Sequence, residues 1–311
     1  MQKIKSVIRY IFFKYLGKLY SSLSVSQDKT LMLNGISSER SMLKSNINQI
    51  SDAEFRVYSQ FGEDGIISYL VNNLRIKNKI FIEFGVEDYT ESNTRFLLKR
   101  YNWSGLVIDG SQKNIDFIKG DEIMWKHAIT PMCKFINKDN IDKIISSYTN
   151  EKDIGLLSID IDGNDYWVWD SIKSINPRIV ICEYNNLFGQ DMKLTIPYKH
   201  DFIRSEAHYS NLYFGASIEA LKDLAKRKGY CYIGSNSAGI NAFFVREDLV
   251  DENIQKITND KFVESKIRES RDRDGNLNYL DREQQLRCIE KMILFDIERA
   301  TEDSIHNLFK L

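Results

Sequence analysis

Four short apolar runs in this 311-residue chain close on acidic residues. They are Glu83-Phe84-Gly85-Val86-Glu87-Asp88, Asp109-Gly110-Ser111, Asp160-Ile161-Asp162-Gly163-Asn164-Asp165 and Glu183-Tyr184-Asn185. Carboxylates gathered on one rim repel one another unless cations or hydroxyl-bearing ligands offset the repulsion, so a purely structural role for all of them is unfavourable. Asp109 ends a run about 25 residues after the first loop. A carboxylate so placed can accept both hydroxyls of a ribose, and capping beside Ser111 is its competing use. Gly85 would let backbone come close to a ligand. Asp160, Asp162, Glu183 and Asn185 could form an oxygen-rich Mg²⁺ site that lowers the pKa of an acceptor hydroxyl. Asp162 and Glu183 are also candidates for the base that removes a proton from such a hydroxyl, and His208, within SEAHYSNLYFG, is the third. Tyr184, Tyr198, Tyr209, Tyr213 and Phe214 could floor a sugar-like acceptor or simply pack a lid.

These side chains need elements that bring them together. Lys79–Val86, Gly105–Gly110, Trp125–Thr130, Gly155–Asp162 and Arg178–Tyr184 read as strands, and most are apolar on both faces. Helical patterns alternate with them over Asp64–Leu74, Thr90–Arg100, from Ser111, Asn140–Tyr148 and Asp165–Ile172. Such alternation predicts a parallel sheet covered on both sides, with ligands bound beyond the carboxyl ends of its strands. After a long polar and aromatic segment, Ser217–Lys228 reads as a helix stopped by Gly229. Tyr230–Gly234 and Asn241–Arg246, separated by SNSAGI, read as an antiparallel edge hairpin. The stretch to Leu311 reads as mostly helical, with Leu286, Ile289, Ile293 and Ile297 as a buried stripe. Three units follow: residues 1–57 as a basic amphipathic helix and helical lead-in, 58–250 as the α/β domain, and 251–311 as a helical extension.

Hydrophobic residues make up 42% and aromatics 12%, enough for a large core and too much for a disordered chain. Lys and Arg total 43 against 44 Asp and Glu, which argues against nucleic acid as a partner. No apolar run approaches the ~20 residues of a membrane span. Cys133, Cys182, Cys231 and Cys288 are scattered, as suits a reducing cytoplasm. From Met1 to Gln27 there are five basic residues and no acid, with apolar residues at helical spacing. Residues 1–23 are therefore expected either to lie peripherally on the anionic inner face of a membrane or to pack on the chain itself. Nothing in the sequence sets an oligomeric state.

The order of FIEFGVED, GLVIDGS, LLSIDIDGNDYWVW and PRIVICEYN, closed by GYCYIGSNSAGINAFFV, resembles a class I S-adenosylmethionine-dependent methyltransferase. Among these it is most similar to the FkbM-like methyltransferases of glycan and natural-product pathways, over about Tyr58 to Asp248. The resemblance implies a Rossmann-like, doubly wound α/β fold: a mostly parallel seven-stranded sheet with a reversed terminal hairpin. It further implies S-adenosyl-L-methionine above the first two strands and O-methylation of a small-molecule or glycan hydroxyl, such as that of a sugar. On that implication Glu83 and Gly85 hold the first loop under the methionine part and Asp109 takes the ribose. Asp160 sits by the methionine amine or the acceptor, and Glu87 and Ser111 complete the cofactor set. The family's acid-x-Gly-x-Gly-x-Gly loop is not kept, since Glu87 and Tyr89 hold the second and third glycine places. An acidic loop still suits a sulfonium cation with an ammonium group, and it does not suit a pyrophosphate. Two other readings fit parts of the chain. Ile159-Asp160-Ile161-Asp162 matches the DxD of metal-dependent glycosyltransferases, and the missing glycines would fit a non-catalytic scaffold.

Overall fold

The computed structural model describes residues 26–311, so the basic segment 1–23 and its expected membrane contact lie outside the described residues. The strands are β1 (Ile80–Phe84), β2 (Ser104–Asp109), β3 (Ile129–Cys133), β4 (Leu156–Ile159), β5 (Ile179–Glu183), β6 (Leu194–Thr195), β7 (Tyr230–Ser235), β8 (Asn241–Arg246), β9 (Ile293–Asp296) and β10 (Thr301–Ser304). Seven form one sheet in the order β3-β2-β1-β4-β5-β8-β7, and β10-β9-β6 make a second, small sheet. Strands β1 to β5 run parallel, whereas β8 is antiparallel to both β5 and β7. This is the doubly wound, mostly parallel α/β architecture predicted, reversed hairpin included.

Period-two alternation builds the two layers. Phe81, Val107, Leu156, Ile179 and Ile181 face one core, while Ile82, Leu106, Leu157, Val180 and Cys182 face the other. Each fully buried aliphatic or aromatic side chain contributes about 1.5–3 kcal/mol, which lets β1 carry the buried Glu83 within its run. Residues 26–42 are helical and dock on the helix Arg95–Tyr101. Asp28 accepts from Lys99 at 2.5 Å and from Tyr58 at 2.7 Å, and Glu39 accepts from Arg100 at 2.9 Å. Among the described residues no helix is long and apolar enough to cross a membrane.

Three elements differ from expectation. The helix after β1 starts at Arg95, not Thr90, because the preceding residues are tied into turns: Asp88 accepts from Thr90, and Glu83 accepts from the backbone of Asn93 and Thr94. Trp125 lies in the short helix Ile123–Lys126, and β3 is shifted to Ile129–Cys133 by pairing Gly105 with Ile129. That strand contains Pro131, whose missing N–H is harmless because β3 is an edge strand. The C-terminal extension is not mostly helical. Its helix Arg282–Cys288 ends before Ile293, which opens the β9–β10 hairpin and is 39% exposed, so Leu286 and Ile289 pack with Leu294 instead.

Candidate active site

A cavity of about 1020 Å³ opens beyond the carboxyl ends of β1, β2, β4 and β5. Glu83, Gly85, Glu87, Asp109, Asp160, Asp162, Glu183 and Asn185 all line it, so the acid-bearing strand ends share one space.

The first loop is shaped by backbone. Gly85 has φ +69°, and a Cβ there would collide with the backbone carbonyl of Asp160. The glycine is therefore required by the crossing of the β1 and β4 ends, not only by approach to a ligand. Glu87 (φ 47°) and Tyr89 (φ 63°) adopt the same left-handed region. The glycine-type path survives without the glycines, at about 1–2 kcal/mol for each non-glycine residue. Packing holds that strain. Tyr89 is buried, its hydroxyl lies 2.8 Å from Thr94 Oγ1, and Arg95 Nη1 donates to its carbonyl at 2.8 Å. Glu83 accepts from the N–H groups of Asn93 (2.8 Å) and Thr94 (3.1 Å) and from the Thr94 hydroxyl, and burial pushes its pKa up to about 7. It fastens the loop from beneath.

Asp109, at the end of β2, accepts from Ser111 N (2.7 Å) and Asn114 Nδ2 (3.1 Å) on Oδ1, and from Glu87 N (2.9 Å) on Oδ2. Oδ2 has one donor, which leaves it room for a ligand hydroxyl. Ser111 does not line the cavity; it caps the helix Gln112–Gly120 by accepting from Asn114 N. Burial, then Asp88 and Asp109, raise the pKa of Glu87.

The β4 and β5 ends form the floor. Asp160, Asp162 and Glu183 each offer an oxygen, all within 4.8 Å of one another. Burial first, then the neighbouring carboxylates, raise the pKa of Asp160 and Glu183 well above the carboxylate range. Glu183 Oε2 is buried without a partner. Two residues not singled out from the sequence organise this floor. Asp165 turns back to accept from Ile161 N and Gly163 N, both at 2.9 Å, which fixes the turn that carries Asp160 and Asp162; burial raises its pKa to about 6. A carboxylate opening a helix just after Gly163 was the available signal. Arg204 pairs with Asp162, donates to Asn211 O at 2.7 Å and lies 3.7 Å over the Phe214 ring. Burial disfavours its charge, but Glu183 and Asp162 more than offset this and raise its pKa. No local pattern marks a partner 42 residues away.

Other expectations shift. His208 does not line the cavity: its Nδ1 lies 2.7 Å from Ser210 Oγ, and its ring stacks by Tyr209. Burial, then Arg273, lower its pKa. The Asn185 amide is engaged inside the protein, donating to the Leu212 and Phe214 carbonyls and accepting from Leu187 N, so it holds the loop over the site rather than reaching toward an ion. Tyr184 and Phe214 line the cavity, whereas Tyr198, Tyr209 and Tyr213 lie outside it. The C-terminal extension supplies one wall.

No family model and no curated protein matches the chain. Among solved structures it is similar to an S-adenosylmethionine-dependent methyltransferase from Clostridium acetobutylicum, with 10% identity over 59% of this chain and 90% of that one, at a TM-score of 0.37. It is also similar to a SAM-dependent methyltransferase from Aquifex aeolicus, with 9% identity over 59% and 89% of the two chains at 0.35. The plantazolicin methyltransferase BamL shows 15% identity over 55% and 62%, also at 0.35. The strand order and the reversed hairpin are those of the Rossmann-like methyltransferase fold.

Proposed function

We propose that this chain is an S-adenosylmethionine-dependent methyltransferase that methylates a hydroxyl oxygen, in keeping with its FkbM-like sequence features and with a sugar or glycan acceptor in the cytoplasm. One observation carries the reading: Gly85, Glu87 and Tyr89 keep the left-handed path of a glycine-rich loop directly beside Asp109 at the β2 end. The residues fit the cofactor chemically. Asp109 Oδ2 can accept a ribose hydroxyl, and the acidic mouth formed with Glu87 favours a sulfonium and an ammonium group over a pyrophosphate.

When bound, the cofactor supplies an electrophilic methyl group on sulfur. The chain's own work is positioning and proton removal. Asp160 and Glu183 share the floor; burial and their mutual repulsion raise the pKa of both, which makes an ionised member of the pair a stronger base toward the acceptor's hydroxyl proton. Glu183 Oε2, buried and unpartnered, is the atom placed to receive it. That proton then leaves to solvent. Arg204 holds Asp162 aside and limits the charge the pair must bear.

A second reading of the floor is favoured by its geometry: Asp160, Asp162 and Glu183 could hold Mg²⁺. Arg204 would first have to release Asp162, which it now pairs. Mass spectrometry of the purified, denatured protein tests the main proposal. An adenosyl ligand that co-purifies supports it. A nucleotide sugar in its place would move the assignment to the glycosyltransferase reading, and no nucleoside ligand, even after addition of each, to the scaffold.

A further inference from the structure

The cavity's volume sits at the upper end of the roughly 300–1,000 Å³ typical of ligand sites, so it has room for an acceptor beside a cofactor. The acceptor side is walled by the segment from Glu264 to Gln285. That segment crosses the strand ends and is fastened there. Val263 O accepts from Asn186 Nδ2 at 2.7 Å, Lys266 N donates to Ala238 O at 3.3 Å, and Arg271 N donates to Ser210 O at 3.3 Å.

Of its four arginines, two do not line the cavity: Arg271 pairs with Glu269 at 3.2 Å, and Arg273 lies over the Tyr209 ring, 5.0 Å from its centroid. Arg268 and Arg282, which do line it, have no carboxylate partner among the described residues, and Arg282 donates only to Leu187 O at 3.2 Å. Glu264 is the one carboxylate on this wall outside any ion pair, since Glu269 is held by Arg271. Two guanidiniums facing a cavity without counter-ions are suited to planar, bidentate recognition of a carboxylate or phosphate.

We infer that the methyl acceptor is anionic, with its carboxylate or phosphate received by Arg268 and Arg282 while its hydroxyl faces Asp160 and Glu183. This rests on the methyltransferase reading, which assigns the β1–β2 side to the cofactor. The test uses full-length protein saturated with S-adenosylhomocysteine and three probes that differ in charge: methyl glucoside, methyl glucuronate as its free acid, and glucose 6-phosphate. Binding is followed by saturation-transfer NMR. One or both anionic probes should bind at least about tenfold tighter than the neutral one, the better of them identifying carboxylate or phosphate. That preference should weaken with salt and vanish in the exposed double variant Arg268→Gln/Arg282→Gln, whose S-adenosylhomocysteine affinity should stay unchanged. Equal binding of all three probes, or none, overturns the inference, as does a double variant that keeps the preference. If the double variant loses S-adenosylhomocysteine instead, the arginines serve the cofactor's carboxylate and the inference fails while the methyltransferase reading stands. A wild-type protein that does not bind S-adenosylhomocysteine sinks that reading and this inference with it.

Discussion

The carboxylate floor makes a prediction that needs no acceptor. Asp160 and Glu183 have oxygens within 4.8 Å of each other, so if both ionise they repel by about 3.5 kcal/mol at an effective dielectric near 20. A carboxyl whose pKa is raised on folding costs nothing below its unfolded value, because both states hold the proton. As pH climbs, the unfolded chain ionises first and stability falls, and the full cost is reached above the folded value. Glu183→Gln removes the repulsion and should bring Asp160 down. Urea unfolding at about pH 5 and about pH 9 should then show the variant losing about 2–3.5 kcal/mol less stability across that interval than the wild type. Glu83 and Asp64, raised to about 7 and 6, lower stability over part of the same interval, but they do so in both proteins and cancel in the comparison, whereas Asp165 lies in the same field as Glu183 and its relief adds to the variant's gain. Parallel stability–pH curves for the two proteins would refute the claim that this pair shares a field.

Three further outcomes follow from the same geometry. Gly85→Ala should destabilise the protein by about 2–4 kcal/mol in denaturant unfolding, since the methyl group meets both a left-handed φ and the Asp160 carbonyl; a loss under about 0.5 kcal/mol would contradict that packing. Arg204→Ala should extend the high-pH loss of stability, because a cation that favours ionised Asp160 and Glu183 is gone; an unchanged profile would remove Arg204 from the floor's electrostatics. His208→Ala should leave turnover and S-adenosylhomocysteine affinity within about twofold of wild type, and a tenfold loss of turnover would restore histidine as a base.

The sheet was legible because its strands are short apolar runs closed by acids, and because the SNSAGI turn announces the reversed hairpin. The shared pocket followed from parallel topology, which sends every strand end to one rim. What stayed hidden was long-range or conformational. Glu87 and Tyr89 read as departures from a glycine pattern, yet they take the glycine path because Asp109 accepts the Glu87 N–H and burial of the ring holds Tyr89. Arg204 and the wall from Glu264 to Gln285 meet the floor only through tertiary packing. His208 carried the right chemistry for a base, but a local bond to Ser210 turns it away. The C-terminal stripe looked helical because Leu286, Ile289, Ile293 and Ile297 keep a three-to-four spacing, and the pairing of β9 with β6 and β10 overrode it.

Calorimetric titration of S-adenosylhomocysteine into the wild type and Asp109→Ala tests the central claim most directly. The account predicts one saturable site in the wild type and an affinity weaker by roughly 1.5–3 kcal/mol in the variant, the range for hydrogen bonds to a charged group. No binding by the wild type, or equal affinity in the two proteins, would contradict it.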